Sequence, residues 1–122
     1  MPSSKPPLTL QAERVLLGRT VAYLRSKKGQ TQSDFVGELL CTPSTYSRIE
    51  RGSSSPSLTG LRQISAGLGI TLDVLFQYVD QARDATQAIH GDSCEKAIEA
   101  VGLTGFAGLV DYVLHVADSR RS

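Results

Sequence analysis

The sequence lacks the features that mark membrane, secreted and disulfide-stabilised proteins. No window approaches about 18 uncharged apolar residues, so we expect no membrane-spanning helix. The N-terminus, MPSSKPPLTLQAERVLL, has no continuous apolar stretch before a small-residue cleavage site, which argues against a secretory signal. The two cysteines, Cys41 and Cys94, have no CxxC or Cys/His ligand spacing. These absences predict a cytoplasmic protein with reduced thiols.

Catalytic and metal-binding motifs are absent too. The sequence has no phosphate loop ending in GK[ST], no HExxH and no nucleophile elbow. His90, Asp92 and Cys94 alternate near a predicted turn, but helix capping accounts for Asp92, so we expect no metal ion there. We therefore predict that the protein is not an enzyme and needs no cofactor.

The chain carries its charges unevenly. Residues 1–76 have nine Lys and Arg against five Asp and Glu, whereas residues 77–122 have four against seven. A basic N-terminal part suggests a polyanionic partner, and an acidic C-terminal part should face away from it. The length of 122 residues suits one domain, or a small domain with an extension.

Apolar spacing and capping residues predict an all-α protein. After a flexible N-terminal arm (1–8), Thr9 is expected to cap a helix that ends near Lys28. Four more helices are predicted, with no strand pattern between them: residues 32–39, 43–51, 58–67, and a helix from residue 72. Their expected N-terminal caps are Thr31, Thr42, Ser57 and Thr71. We assign residues 9–76 to one domain and residues 77–122 to a C-terminal helical region.

The C-terminal region should contain three helical segments. The fifth helix is predicted to continue to His90, and Asp92, with Glu95, should cap a short helix that stops at Gly102. Thr104 is expected to cap a last helix to about Ser119, with a wide apolar face. That face either packs on the chain's own first domain or meets a second subunit, and for the second case the candidate dimerisation residues are Phe106, Leu109, Val110, Val113 and Leu114.

Residues 31–50 form two short predicted helices that are suited to DNA. In the second, Tyr46 and Ile49 should point inward, while an outer face carries Ser44, Thr45, Ser47 and Arg48. Small hydroxyls and an arginine can enter a major groove, where they contact phosphates and base edges.

The chain here resembles the Cro/repressor-type (XRE family) helix-turn-helix transcriptional regulators. The matching pieces, GRTVAYLRSKKG, TQSDFV, TPSTYSRIERGSSSPSL and LRQISAGLGITLDVLF, extend from about Leu17 to Phe76, which is half the chain. The resemblance implies a five-helix domain in which the second and third helices read DNA.

The resemblance also implies residue roles. An ion pair of Arg25 with Glu50 would tie the first helix to the third, and a cation there would offset a carboxylate near the negative end of its helix. The predicted DNA-binding residues are Gln32, Thr42, Ser44, Thr45, Ser47, Arg48, Arg51, Ser53 and Ser54. The family usually has glycine where Leu40 stands and a small residue where Val36 stands, so the turn between the two helices is expected to be strained or rebuilt.

These observations predict a sequence-specific DNA-binding regulator. It would act as a homodimer on a two-fold site in double-stranded DNA, as a repressor, without any membrane association. The alternative is an antitoxin or adaptor whose C-terminal helices bind a protein partner. Serines after Gly52 stand where basic residues are common in the family, so phosphate binding by one subunit should be modest.

Overall fold

A computed structural model describes residues 8–37, 39 and 41–121, with side chains for residues 10–116 within these ranges. The described residues form six helices and no strand, which confirms the predicted all-α class. The helices are α1 (Leu8–Lys27), α2 (Gln32–Val36), α3 (Pro43–Arg51), α4 (Leu58–Leu68), α5 (Leu72–His90) and α6 (Cys94–Arg121).

Hydroxyl caps explain where four of these helices begin. Each cap accepts a hydrogen bond from the backbone N–H three residues further on, which satisfies a donor that the helix itself leaves unpaired. The four caps are Thr31, Thr42, Ser57 and Thr71. α3 ends at Arg51, and the next residue, Gly52, has a φ of 80°, a left-handed conformation that residues other than glycine adopt at a cost.

Two predicted helix bounds near the N-terminus were wrong. α1 begins at Leu8, so Thr9 lies inside its first turn and is not its cap. α2 ends at Val36 and not at residue 39, and the N–H of Gly37 makes the last hydrogen bonds of the helix, to the carbonyls of Ser33 and Phe35. Residues 1–7 of the predicted arm lie outside the described residues, as does Leu40 with its expected backbone strain.

The start of α6 also differs from the prediction. The Ser93 hydroxyl, and not Asp92, caps the helix by accepting the Lys96 N–H at 3.2 Å. Asp92 instead accepts the N–H of Ser93 at 2.7 Å, one residue away. The predicted break at Gly102 is present, with a non-helical φ of 77° and ψ of 174°, and helix resumes directly after it, so Thr104 lies within α6.

Two hydrophobic clusters share α1. The first joins α1 to α2, α3, α4 and the start of α5, and its buried members are Val21, Phe35, Val36, Tyr46, Ile49, Ile64, Leu68 and Leu75. The second joins α1 to α5 and α6 through Ala12, Val15, Leu16, Val79, Ala82, Cys94, Ala97, Ile98, Phe106, Val110 and Leu114. The predicted domain limit at residue 76 falls inside α5, which continues from one cluster into the other.

The apolar stripe of α6 faces the interior of its own chain. Phe106, Val110, Val113 and Leu114 are each no more than 6% exposed, whereas Leu109 is partly exposed. The prediction that all five contact a second subunit therefore does not fit the structure, since four of them are already covered within the chain. The other alternative, packing on the first domain, is the arrangement observed.

α6 also departs from the expectation of no long apolar helix. By length and composition alone, its residues Cys94–Val116 are apolar enough to cross a membrane. Core helices of soluble proteins pass the same test. The side chains of Phe106 and Val110 are buried against α1 and α5, and about a third (33%) of the apolar stretch is buried within the chain.

Candidate DNA-binding surface

α3 has one anchored face and one open face. Tyr46, Ile49 and Glu50 are buried, and Tyr46 packs on Phe35 of α2 with ring centroids 5.4 Å apart. On the opposite side, the side chains of Ser44, Arg48 and Arg51 are exposed. Their spacing of four and three residues places them in one row along the helix. The helix therefore presents hydroxyl and guanidinium groups to solvent from a fixed position.

The hydroxyl groups at the start of α3 form a connected set. Thr42 Oγ1 accepts the backbone N–H of Thr45 at 3.2 Å and donates to Thr45 Oγ1 at 2.9 Å. Thr45, which is half-buried, accepts a hydrogen bond from Arg48 Nη2 at 3.4 Å. Ser44 is exposed and Ser47 is half-buried. The groove that Thr45 lines is formed by residues 39–64, and the side chain of Arg48 is exposed.

A buried carboxylate fixes the other side of α3. Arg25 of α1 donates from Nε to Glu50 Oε2 at 2.7 Å and from Nη2 to Glu50 Oε1 at 3.1 Å. The two side chains are 12% and 3% exposed. This bidentate pair is the one that the resemblance implied, and it joins α1 directly to α3.

The same carboxylate has a third donor that the sequence did not indicate. Gln32, the first residue of α2, donates from Nε2 to Glu50 Oε1 at 2.7 Å. Gln32 was predicted to contact DNA, but its amide NH₂ is engaged inside the protein, and the side chain is half-buried. In this structure Gln32 therefore links α2 to α3.

Burial and hydrogen bonding act in opposite directions on Glu50. Burial by itself raises the pKa of its carboxyl group, but donors led by Arg25 more than offset this, and the pKa lies below its ordinary value. In turn, the carboxylate raises the pKa of Arg25. Burial, together with the nearby Glu50, raises the pKa of Tyr46 well above its ordinary value. All three groups therefore keep a single protonation state near neutral pH.

This arrangement predicts a loss of stability in acid. A carboxyl whose pKa is lower in the folded chain stabilises the fold above its unfolded pKa, and that contribution disappears as the pH falls through the folded value. We expect the free energy of unfolding to fall in this acidic window, as measured by urea titration at a series of pH values. A Glu50→Gln variant should show a flatter dependence over the same window, and an equally steep one would contradict the assignment.

The α3–α4 loop continues the surface toward the N-terminal half of α1. Ser53, which is exposed, is held by its hydroxyl to the carbonyl of Arg48 at 3.2 Å, and Ser54 is half-buried. Arg14 of α1 donates from Nε to Ser55 Oγ at 2.8 Å. This arginine adds a cation beside the loop. The linear sequence did not indicate it, because 41 residues separate the two partners.

Comparison with known proteins agrees with this geometry. The family model of the helix-turn-helix domain matches residues 16–75. Control protein C.MunI from Mycoplasma sp is 36% identical over 69 residues, which cover 93% of that protein and 56% of this chain. The chain belongs to the XRE family of helix-turn-helix regulators. This confirms the resemblance drawn from the sequence, and the protein is a DNA-binding transcription regulator. No solved structure matches the chain.

Two residues of α1 that the sequence analysis did not assign to the site, Gly18 and Arg19, lie beside the end of α3. Arg19 of α1 lies at the C-terminal end of α3, where Gly18 allows the two backbones to approach. A Cβ atom at Gly18 would overlap the carbonyl oxygen of Ile49.

Within the described part of the chain, no group of three His, Cys, Asp or Glu side chains is placed to hold a metal ion. The two cysteines, Cys41 and Cys94, are free thiols.

Proposed function

We propose that this regulator binds a two-fold DNA site as a homodimer and represses transcription by occupying a promoter. The observation that carries the proposal is the two-sided character of α3. Its inner face is held by the Glu50 cluster, and its outer face leaves Ser44 and Arg48 exposed. A recognition helix needs both properties, because base edges are read only when the side chains are held at a fixed angle to the groove.

Eight of the nine predicted contact residues keep a role at the DNA, and the exception is Gln32, whose amide NH₂ donates to Glu50. Ser44, Thr45, Ser47 and Arg48 face the major groove, where Arg48 can form a bidentate contact with guanine or bind a phosphate. Thr42 caps the helix, and Arg51, Ser53 and Ser54 lie toward the DNA backbone. With two-fold symmetry, the half-sites lie about one helical turn, ~34 Å, apart.

Replacing Arg48 tests the groove assignment. An Arg48→Ala variant should bind its selected duplex about ten- to a hundredfold more weakly, because a bidentate base contact contributes ~1–3 kcal/mol. Fluorescence anisotropy with a site selected from random DNA by the wild-type protein measures the loss. Lys96→Ala, which removes an exposed cation of α6 paired with Glu99, is the control and should leave affinity unchanged. Equal losses in both variants would show that Arg48 contributes only general charge.

The dependence of binding on salt tests the homodimer. A dimer that neutralises roughly 6–8 phosphates should give a log–log slope of about −5 to −7 for the binding constant against salt concentration. Sedimentation of the complex gives its stoichiometry in the same buffers. A flat response, or one chain per site, would contradict a dimer that binds through its phosphate contacts.

A second function is favoured by one observation on α6. Val101, Leu103 and Tyr112 are apolar or aromatic side chains with 52%, 43% and 57% of their surface exposed. Such a surface suits the antitoxin or adaptor alternative, in which the C-terminal helices bind another protein. A gel shift with the upstream region of its own gene separates the two functions, since an adaptor that works only through protein contacts would leave the duplex unshifted.

A further inference from the structure

One arginine connects the C-terminal helix to the end of the recognition helix. Arg19 of α1 donates from Nη1 to the backbone carbonyl of Glu50 at 3.2 Å. It also donates from Nε to Asp111 Oδ1 of α6 at 2.8 Å. The guanidinium therefore joins three helices, with α6 on one side and α3 on the other.

The carbonyl of Glu50 lies at the C-terminal end of α3, where a cation stabilises the helix. The last carbonyls of a helix have no intrahelical partner, and they carry the negative end of its dipole. Since α1 approaches α3 closely at Gly18, the guanidinium of the next residue reaches these carbonyls directly. A shift of the Arg19 guanidinium would therefore change the hydrogen bond that it donates to the C-terminal end of α3.

Asp111 supplies the side-chain partner of the Arg19 guanidinium, and the Arg19 side chain is 27% exposed. The pair lies between two open grooves, and both Arg19 and Asp111 line each of them. The first groove has a volume of about 500 Å³ and runs past Arg51 and Gly108, and the second, of about 320 Å³, runs past Gln32. The carboxylate of Asp111 and the carbonyl of Glu50 together hold the guanidinium between the two grooves.

We infer that Asp111 is a positioning residue for DNA reading: by holding Arg19 against the end of α3, it lets the C-terminal helix set the angle of the recognition helix. This inference rests on the proposed function, in which α3 reads DNA. It gives α6 a part in sequence recognition although its own core residues pack on α1 and α5.

The chain offers a matched control for the test. Glu13 of α1 pairs with Arg83 of α5 at 3.1 Å, with both side chains partly exposed. Glu13→Gln and Asp111→Asn each remove one negative charge from a partly exposed pair that joins α1 to a later helix. Only the Asp111 pair reaches α3, so the two variants separate positioning from the change in net charge.

The first measurement compares the two variants on DNA. We expect Asp111→Asn to weaken binding to the duplex selected by the wild-type protein about three- to fivefold, which is the upper part of the range that a partly exposed ion pair contributes. Binding to a scrambled duplex, and the salt slope on the selected one, should stay the same. Glu13→Gln should alter neither affinity. Equal losses in the two variants, or an equal loss on both duplexes, would overturn the inference.

A double-mutant cycle tests the route through Arg19. Arg19→Lys retains the charge, but a single ammonium group cannot span both partners as the planar guanidinium does. Asp111→Asn should therefore have little further effect in the Arg19→Lys background, because the two changes break one connection. A full additional loss in that background would show that Asp111 acts by another route, and the inference would fail.

A measurement without DNA separates this inference from the proposed function. The N–H groups of Gly52 and Ser53 bond to the carbonyls of Ile49 and Arg48, both at 3.0 Å, at the end of α3. Asp111→Asn should speed hydrogen exchange at these amides while exchange in α4 stays unchanged. Uniform acceleration, or none, overturns the positioning role. If the exchange result holds and the wild-type protein selects no duplex, the failure lies with the proposed function.

Discussion

Replacing Glu50 with alanine should lower the free energy of unfolding by about 3–5 kcal/mol, because it leaves the buried guanidinium of Arg25 without its carboxylate. Arg25 is only 12% exposed, so water cannot replace the lost partner effectively. Gln32 loses its acceptor in the same change. Chemical denaturation followed by circular dichroism measures the effect.

The control for this prediction is Glu13→Ala. Its pair with Arg83 also joins two helices, but the side chains are 45% and 39% exposed, so we expect a loss of no more than about 1 kcal/mol. Glu50→Gln, which keeps one acceptor oxygen, should fall between the two. A Glu50→Ala variant as stable as Glu13→Ala would mean that the cluster does not anchor α3.

Phe106→Ala should destabilise the chain by about 3–5 kcal/mol, the usual range for truncating a fully buried aromatic side chain. Phe106 is 0% exposed and packs among α1, α5 and α6. The loss should not depend on protein concentration, because the contacts lie within one chain. Thermal and urea unfolding at two widely separated concentrations provide the measurement.

Leu109→Ala is the comparison on the same helix. Leu109 is partly exposed, so its truncation should cost about 1 kcal/mol or less. If the stability loss in Phe106→Ala shrinks as the protein concentration rises, and the variant has a lower mass in solution than the wild type, Phe106 would lie at a subunit interface instead.

Local features of the chain were largely predictable. The caps Thr31, Thr42, Ser57 and Thr71 were recognised because a cap and its N–H partner are three residues apart in the sequence. The inward orientation of Tyr46 and Ile49 followed from helical spacing. The errors at Thr9, Asp92 and the end of α2 were shifts of one to three residues, because the ends of a helix are the part that local sequence patterns define least sharply.

The candidate site was predicted less completely. The pair of Arg25 with Glu50 came from the family resemblance, supported by the unfavourable position of a carboxylate near the end of α3. The hydrogen bond from Gln32 to Glu50 was missed, since an exposed first-turn amide and one that turns inward have the same sequence pattern. Arg14 and Arg19 were missed because their partners lie 41, 31 and 92 residues away.

The amino-acid sequence by itself determined the helical class, the order of the helices and the chemistry of the exposed face of α3, because periodicity and capping act over three or four residues. Only the tertiary structure decided what covers the apolar stripe of α6 and which groups hold the recognition helix. An apolar helix face can be buried equally well against its own chain or against another chain. Likewise, an arginine can pair with any carboxylate that the fold brings within reach. The packing of α1 against α3 and α6 determines both the burial of the α6 face and the carboxylates with which Arg19 and Arg25 pair.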